Sequence, residues 1–449
     1  MAKTRTAFVC SSCGAEAPRW QGQCPACGEW NTLSAFHEKP ASRRPQRAGA
    51  PPAAAMLEVL EAGEDARLVT GLAEFDRVLG GGLVPGSVSL IGGDPGIGKS
   101  TLLLQAAAAL APGVPVLYAT GEESARQVGL RAQRLGLAGA PLRLIAETAV
   151  EQIVEQAGAM GARVLVIDSI QTMTASNVEA AAGSVSQLRE CAAQLVAHAK
   201  STGTAVLLIG HVTKEGVIAG PRLLEHMVDA VLYFESDSGS RYRVIRAVKN
   251  RFGAANEIGV FVMDERGLRE VRNPSAIFLS RHDQPVAGSV VTVAREGTRQ
   301  MLIEVQALAD ASHAANPRRV AVGLEANRIA MLIAVLHRHA GVALHGHDVF
   351  VNVVGGVRLG ETAADLPVLA AMLSSLEGRA LPQELVTFGE VGLAGEIRPV
   401  PYGEERLREA AKHGFRRAVV PRANVPRRAV EGMEVAGVGR LEEAVKALG

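Results

Sequence analysis

The run Gly93, Asp94, Pro95, Gly96, Ile97, Gly98, Lys99, Ser100 and Thr101 constrains this chain more than any other feature. It satisfies the pattern G-x-x-x-x-G-K-[ST]. It lies between the apolar run Ser87–Ile91 and the helix-favouring stretch Thr101–Leu110. Gly93, Gly96 and Gly98 let successive backbone N–H groups turn inward around an anion, where a Cβ would clash. Lys99 is then expected to reach the β- and γ-phosphates, Ser100 to offer its hydroxyl to Mg²⁺, and the helix N-terminus to add its dipole. A mere glycine turn needs neither the strand before it nor the helix after it. The segment Gly93–Thr101 therefore reads as a nucleoside triphosphate site.

At 449 residues the chain is too long for one core. Composition and periodicity divide it into a cysteine-rich module (1–36), a linker (37–66), an ATPase-type segment (67–275) and a last segment (276–449). The linker has no apolar periodicity and is rich in proline and arginine, so it is expected to be mobile. Beyond the glycine loop, strand-like runs (Val114–Ala119, Leu142–Ile145, Arg163–Asp168, Thr204–Gly210) alternate with helical ones (Glu123–Leu135, Val150–Met160, Val185–Ser201). That alternation predicts an α/β fold, a parallel sheet with helices on both faces. Short alternating runs from Val228 to Val271 predict an antiparallel meander that completes it. The last segment carries its own strands (Gly288–Ala294, Met301–Ala307, Val349–Val353, Arg417–Pro421) and helices (Arg328–His339, Asp365–Leu376, Glu404–Lys412), an α+β pattern.

Charge is nearly balanced, 47 basic against 46 acidic residues, and no run approaches the ~18 apolar residues of a membrane span. No membrane partner is expected, and the reducing cytoplasm is the expected compartment. Cys10, Cys13, Cys24 and Cys27 form two C-x-x-C knuckles, a spacing that can set four thiolates around one Zn²⁺ at ~2.3 Å. The competing reading, a disulfide pair in an exported module, lacks any export signal. Trp20 and Trp30, the only tryptophans, read either as stacking platforms for bases or as the core of this module, and the core is the expected role. Cys191 sits in a helical pattern and is expected simply to pack.

Around the glycine loop, the strand Val164–Ile167 ends in Asp168-Ser169, which places a carboxylate toward Mg²⁺. Asp168 and Ser100 are the expected magnesium ligands. Thr120-Gly121-Glu122-Glu123-Ser124 follows the preceding strand. Glu122 or Glu123 is expected to orient the attacking water, the other to cap a helix. Lys99, Glu122, Glu123 and Asp168 are the expected catalytic set. His211 and Lys214, after the next strand, are placed to sense a γ-phosphate. Lys249, Asn250, Arg251, Phe252 and Gly253 end a meander strand with two cations and read either as a charged edge or as a group that reaches a neighbouring subunit's nucleotide.

Taken together, the knuckle, Gly92–Thr101, Tyr118–Ser124, Ile167–Gln171, Gly210–Gly216 and Lys249–Gly253 resemble the bacterial RadA/Sms DNA repair family. The resemblance spans nearly the whole chain, and Lys-Asn-Arg-Phe-Gly is its most specific element. It implies a RecA-like ATPase core, an N-terminal zinc finger and a C-terminal domain related to the Lon protease. It also implies a homo-hexameric ring that uses ATP, Mg²⁺ and Zn²⁺. Its implied partners are single-stranded DNA, branched recombination intermediates and the RecA recombinase, with branch migration as the outcome. A RecA-fold regulatory ATP switch without motor activity is the alternative.

Lon-type proteases use a serine activated by a lysine. Here the matching stretch Gly360–Asp365 carries Ala363 at the nucleophile position, and Tyr402–Arg406 has no lysine. Proteolysis is therefore not expected. Arg318, Arg319 and Arg328 are candidate phosphate contacts instead, and His337, His339, His345 and His347 read as ordinary surface and loop histidines.

Overall fold

The computed structural model describes residues 6–10, 15–37, 67–211, 223–236, 241–271, 273–279, 284–314 and 316–448. Contacts divide the chain into two units, Met1–Val271 and Arg272–Gly449. No helix among the described residues is long and apolar enough to cross a membrane.

The cysteine module is a three-stranded antiparallel sheet of β1 (Thr6–Cys10), β2 (Glu16–Ala17) and β3 (Leu33–His37), with β1 in the middle. Its small core is Cys10, Ala17, Cys24 and Leu33. Trp20 and Trp30 are 56% and 69% exposed, so the expectation that they form the core is wrong. A module built around clustered thiols brings its strands together through them and leaves no interior large enough for an indole.

The ATPase segment opens with α1 (Ala73–Leu79) and β4 (Val88–Gly92). It then alternates α2 (Lys99–Leu110), β5 (Val116–Thr120), α3 (Ala125–Arg134), β6 (Arg143–Ala146), α4 (Val150–Ala159), β7 (Val164–Asp168), α5 (Val185–Thr202), β8 (Ala205–Ile209) and α6 (Leu223–Met227). The meander is β9 (Ala230–Glu235), β10 (Tyr242–Asn250), β11 (Ile258–Asp264) and β12 (Gly267–Glu270). All these strands share one sheet, ordered β12-β11-β10-β9-β4-β8-β7-β5-β6. From β9 to β6 every pairing is parallel; from β9 outward to β12 every pairing is antiparallel. Strands β4, β5, β7 and β8 are buried at every residue, as a sheet covered on both faces requires.

One cluster fills the face under α1, α2 and α3, with Phe75, Leu103, Tyr118, Val128 and Phe261 among its members. A second fills the face under α4, α5 and α6, with Ile153, Leu188, Leu195 and Leu224. Cys191 lies in the second, fully buried, where desolvation pushes its thiol up to about 12. The chain runs outward from β4 to β5 and β6 and then returns through β7 and β8. The carboxyl ends of the central strands thus open a crevice, the usual ligand position in such sheets.

The second unit contains β13 (Ser289–Glu296), β14 (Arg299–Ala311), β15 (Arg319–Val322), α7 (Ala326–Ala340), β16 (His347–Val353), α8 (Asp365–Glu377), β17 (Leu385–Thr387), β18 (Glu390–Val391), β19 (Ile397–Arg398), α9 (Gly403–Lys412), β20 (Arg417–Pro421), β21 (Glu434–Val438) and α10 (Leu441–Leu448). Seven strands form a mixed sheet, ordered β15-β16-β14-β13-β17-β20-β21, with α8 packed on β13 and β14. This is the α+β, Lon-protease-like arrangement. Strands β15 and β17 escape a periodicity reading because four and three residues give a pattern of two too little length, and β21, Glu-Val-Ala-Gly-Val, carries a glycine that breaks the strand signal.

Candidate active site at the phosphate loop

The loop between β4 and α2 holds Gly93, Gly96 and Gly98 at φ of 148°, 77° and 120°. Gly98 shows why a side chain is excluded. An added Cβ would stand 2.7 Å from Cε of Met263 and 3.2 Å from Cδ1 of Leu268, which support the loop from the meander. Asp94, Pro95 and Gly96 are exposed, whereas Ile97 is buried and anchors the turn. From β10, Nε of Arg243 donates to the carbonyl of Ile97 at 3.2 Å. Lys99 is 4% exposed, and its ammonium donates to the carbonyls of Gly93 (2.7 Å) and Asp94 (2.9 Å). Burial lowers its pKa, opposed by the carboxylates of Asp168, Asp94 and Glu122. A buried ammonium held by its own loop's carbonyls is a cation poised for an anion in the same cradle.

Three neighbouring strand ends converge on that lysine. From β7, Asp168 (3% exposed) accepts from the Ser100 hydroxyl at 3.1 Å and from the Tyr118 hydroxyl at 2.6 Å. From the end of β5, Glu122 accepts a hydrogen bond from the Ser169 hydroxyl and stands 2.9 Å from Nε2 of His211, which follows β8. Burial opposes charge on Glu122, but the bonds from Ser169 and His211 outweigh it and hold the carboxyl below its ordinary pKa. Glu123 turns away and pairs with Arg131 on α3 at 2.6 Å. Neither glutamate caps α3: Ser124 does so, in a reciprocal box with Gln127. The chain bends at residues 121–123 after β5, and the separate partners of the two glutamates, His211 and Ser169 for Glu122 and Arg131 for Glu123, send them different ways. Lys214 lies outside the described residues.

Ser169 and Tyr118 escaped the sequence reading as site residues. Ser169 carried a signal, since it adjoins Asp168 and is polar after an apolar strand. Tyr118 carried a weaker one, a lone hydroxyl in the run Val-Leu-Tyr-Ala.

The segment Lys249–Gly253 is not brought to this crevice. Register pairs Lys249 with Val231 and Asn250 with Ala230, and these in turn with Leu90 and Ser89, toward the amino end of β4. The phosphate loop leaves the carboxyl end. Lys249 donates to the carbonyls of Glu225 (2.6 Å) and Val228 (2.7 Å), closing the C-terminal end of α6; burial and the nearby Arg251 lower its pKa. Asn250 donates to the Val78 carbonyl and accepts from the amide of Phe252. The Phe252 carbonyl accepts from Arg67 at 3.0 Å. At Gly253 an added Cβ would meet Cα of Gly80 at 2.7 Å, so α1 and this segment touch backbone to backbone. Arg251, 60% exposed, reaches Asp229 at a loose 3.4 Å.

In the cysteine module, Sγ of Cys10, Cys24 and Cys27 lie within 4.8 Å of one another and none is in a disulfide. Cys10 and Cys27 are 3.7 Å apart, sulfur to sulfur. Two thiolates bound tetrahedrally to one zinc at ~2.3 Å stand about 3.8 Å apart, so the donor set fits that ion. The amides of Cys27 and Ala26 point at Cys24 and hold its thiol below the ordinary range. Cys13 lies outside the described residues.

In the second unit, Ala363 is buried in the apolar cluster of Val386 and Phe388. Arg406, 1% exposed, grips Glu361 with two nitrogens (2.8 and 2.5 Å) and also donates to the carbonyls of Val293 and Pro401. Ser374 and Ser375 accept from the amides of Gly288 and Ala309, and the Ser374 hydroxyl donates to the Arg379 carbonyl. Two of the three candidate phosphate contacts are committed elsewhere: Arg328 to Asp365, and Arg319 to the carbonyls of Arg318, Leu344 and His347. His337 packs edge-on against His345, and His339 meets the Leu393 carbonyl, so these rings do not converge on one point.

Family models match three separate stretches of the chain. A family model described as an AAA domain matches residues 56–217. One described as a rubredoxin metal binding domain matches 8–35, and one described as subunit ChlI of Mg-chelatase matches 293–424. The protein named DNA repair protein RadA in Pseudomonas aeruginosa is 57% identical over 451 residues, covering 100% of both chains. Its namesake in Escherichia coli is 56% identical over 454 residues, covering 99% of each. The namesake in Bacillus subtilis is 48% identical over 456 residues, again covering 99% of each. With an ATP-hydrolysing core, a zinc-ribbon module and a Lon-like last domain in the same order, the chain belongs to the RadA family of DNA repair proteins.

Proposed function

We propose that this chain is a DNA-dependent ATPase of recombinational repair. It binds single-stranded DNA and branched intermediates in the cytoplasm and drives branch migration alongside a RecA-type recombinase. The observation that carries the enzymatic part is that Glu122 and Asp168, from two neighbouring strand ends, act on buried Lys99, with His211 from a third strand end held on Glu122. In this reading the amides of Gly96–Thr101 cradle the β-phosphate and Lys99 bridges toward the γ-phosphate. Magnesium held by Ser100 and Asp168 supplies neutralisation of the phosphate oxygens. Glu122, kept charged by Ser169 and His211, orients a water for in-line attack, and His211 registers loss of the γ-phosphate. Zinc held by Cys10, Cys13, Cys24 and Cys27 supplies the folding energy of the first module.

The position of Lys249–Gly253 at the far end of its own strands supports a role in trans. A residue that cannot reach its own nucleotide can reach a neighbour's across a ring, which fits a homo-hexamer. Arg251 is the exposed member of that segment, so it is the proposed finger, with Lys249 holding the segment in place.

The test is ATP turnover with and without single-stranded oligonucleotide at low salt, where phosphate contacts are strongest. Stimulation together with binding is expected. Steady turnover that ignores DNA, with no binding, would favour a regulatory ATP switch.

A further inference from the structure

Tyr118 is a buried group beside the nucleotide site whose hydroxyl the proposed mechanism leaves unused. Its ring lies in the apolar cluster beneath α2, with Val116, Val164, Val166 and Leu104 in the same cluster, and it is 0% exposed. An aliphatic side chain would serve such a site as well for packing. A buried phenol is retained at a cost unless its hydroxyl finds a partner. The partner is Oδ2 of Asp168 at 2.6 Å, a charge-assisted bond at the short end of the range. The other carboxylate oxygen, Oδ1, faces the Ser100 hydroxyl at 3.1 Å.

The two strands are therefore stitched twice. Register places Thr120 opposite Asp168 on the parallel pair β5 and β7. On one side of that rung Tyr118 of β5 holds Asp168 of β7. Beyond it, Ser169 after β7 holds Glu122 after β5. The carboxylate that faces Ser100 and the carboxylate proposed to orient water thus share one scaffold. A free Asp side chain rotates about two bonds, and pinning Oδ2 leaves Oδ1 aimed at Ser100.

We propose that Tyr118 is a positioning residue: its hydroxyl pins Oδ2 of Asp168 so that Oδ1 and the Ser100 hydroxyl are preset for a nucleotide-bound divalent cation. This rests on the nucleotide site proposed above. Partners that orient a metal-binding group typically change metal affinity by about 10- to 100-fold when removed.

The experiment titrates Mg²⁺ into the full-length protein holding a fluorescent ADP analogue, for the parent and for Tyr118→Phe, which deletes only the hydroxyl. A parallel Mn²⁺ titration by electron paramagnetic resonance reads the cation directly. In Y118F the Mg²⁺ and Mn²⁺ concentrations for half-saturation should rise about tenfold, while analogue affinity in excess EDTA stays unchanged. In an Asp168→Asn background, the same hydroxyl deletion should have no further effect on the cation, because Tyr118 acts through that carboxylate. Superimposable metal titrations for parent and Y118F overturn the proposal, as does an undiminished effect in the D168N background. Tyr118→Met, which removes the hydroxyl within a flexible apolar side chain, must give the same direction of change, or the proposal fails. If the parent does not bind the analogue at all, the nucleotide site itself is refuted, a different outcome from a silent Tyr118.

Discussion

At the scale of single residues, the site separates groups that look equivalent in sequence. Lys99 is the loop's buried cation, so Lys99→Ala should reduce ATP hydrolysis by about 100-fold or more, a loss typical for a preorganised charge that faces the reacting group. Phosphate release under saturating ATP measures it; near-normal turnover would remove Lys99 from the proposed role. Glu122 and Glu123 divide similarly. Glu122→Gln should cost on the order of 10²- to 10⁴-fold in turnover with nucleotide affinity kept, the range for a group that assists proton transfer. Glu123→Gln, which only loosens a partly exposed pair with Arg131, should leave turnover nearly intact. Equal losses in both variants would show that the two carboxylates do not divide as their contacts indicate. Ala363 needs no variant, because a methyl group has no lone pair to attack with. Buried Arg406, paired with the partly exposed Glu361, stands in the stretch where a Lon-type lysine would be sought.

At the scale of elements, strand β10 links the chemistry at its two ends. Its start anchors the phosphate loop through Arg243, and its end carries Lys249 and Asn250. The contacts give Lys249 and Arg251 different work. Lys249 closes the carbonyl end of α6, so Lys249→Ala should destabilise the fold by about 1.5 to 3 kcal/mol, the scale of a lost hydrogen bond to a charged group. Arg251 is largely exposed, so Arg251→Ala should melt with the parent and still lose its response to DNA. Denaturant midpoints of the two variants decide this, and an unaltered midpoint for K249A would contradict the capping role. In the first module, Cys10→Ser removes a buried thiol from a core of four residues. Bound zinc should fall to near zero by atomic absorption, and full metal content would exclude Cys10 as a ligand.

At the scale of the whole molecule, the trans reading makes a prediction that no single subunit can satisfy. Mixing K99A and R251A subunits should restore DNA-stimulated turnover above that of either variant alone. Each mixed ring then contains interfaces that pair an intact loop with an intact arginine. Absence of any rescue at all mixing ratios would place Arg251 outside a neighbour's active site.

The glycine loop, its flanking strand and helix, the alternation that builds a parallel sheet, and the cysteine spacing were legible because each is written in residues close together in sequence. Short strands such as β15 were not legible, and exposure of the tryptophans was misjudged, because nothing local says how little interior a cysteine-clustered module has. What the sequence alone determined is that an anion cradle opens a helix and that carboxylates follow apolar strands, since backbone geometry and burial are local consequences of residue type. Only the tertiary structure decided that Glu122 rather than Glu123 faces Lys99, that Tyr118 and Ser169 hold the two carboxylates, and that Lys249–Gly253 lies at the far end of the sheet. Those facts depend on which strands become neighbours and in what register, and strand order is fixed by packing across distant parts of the chain.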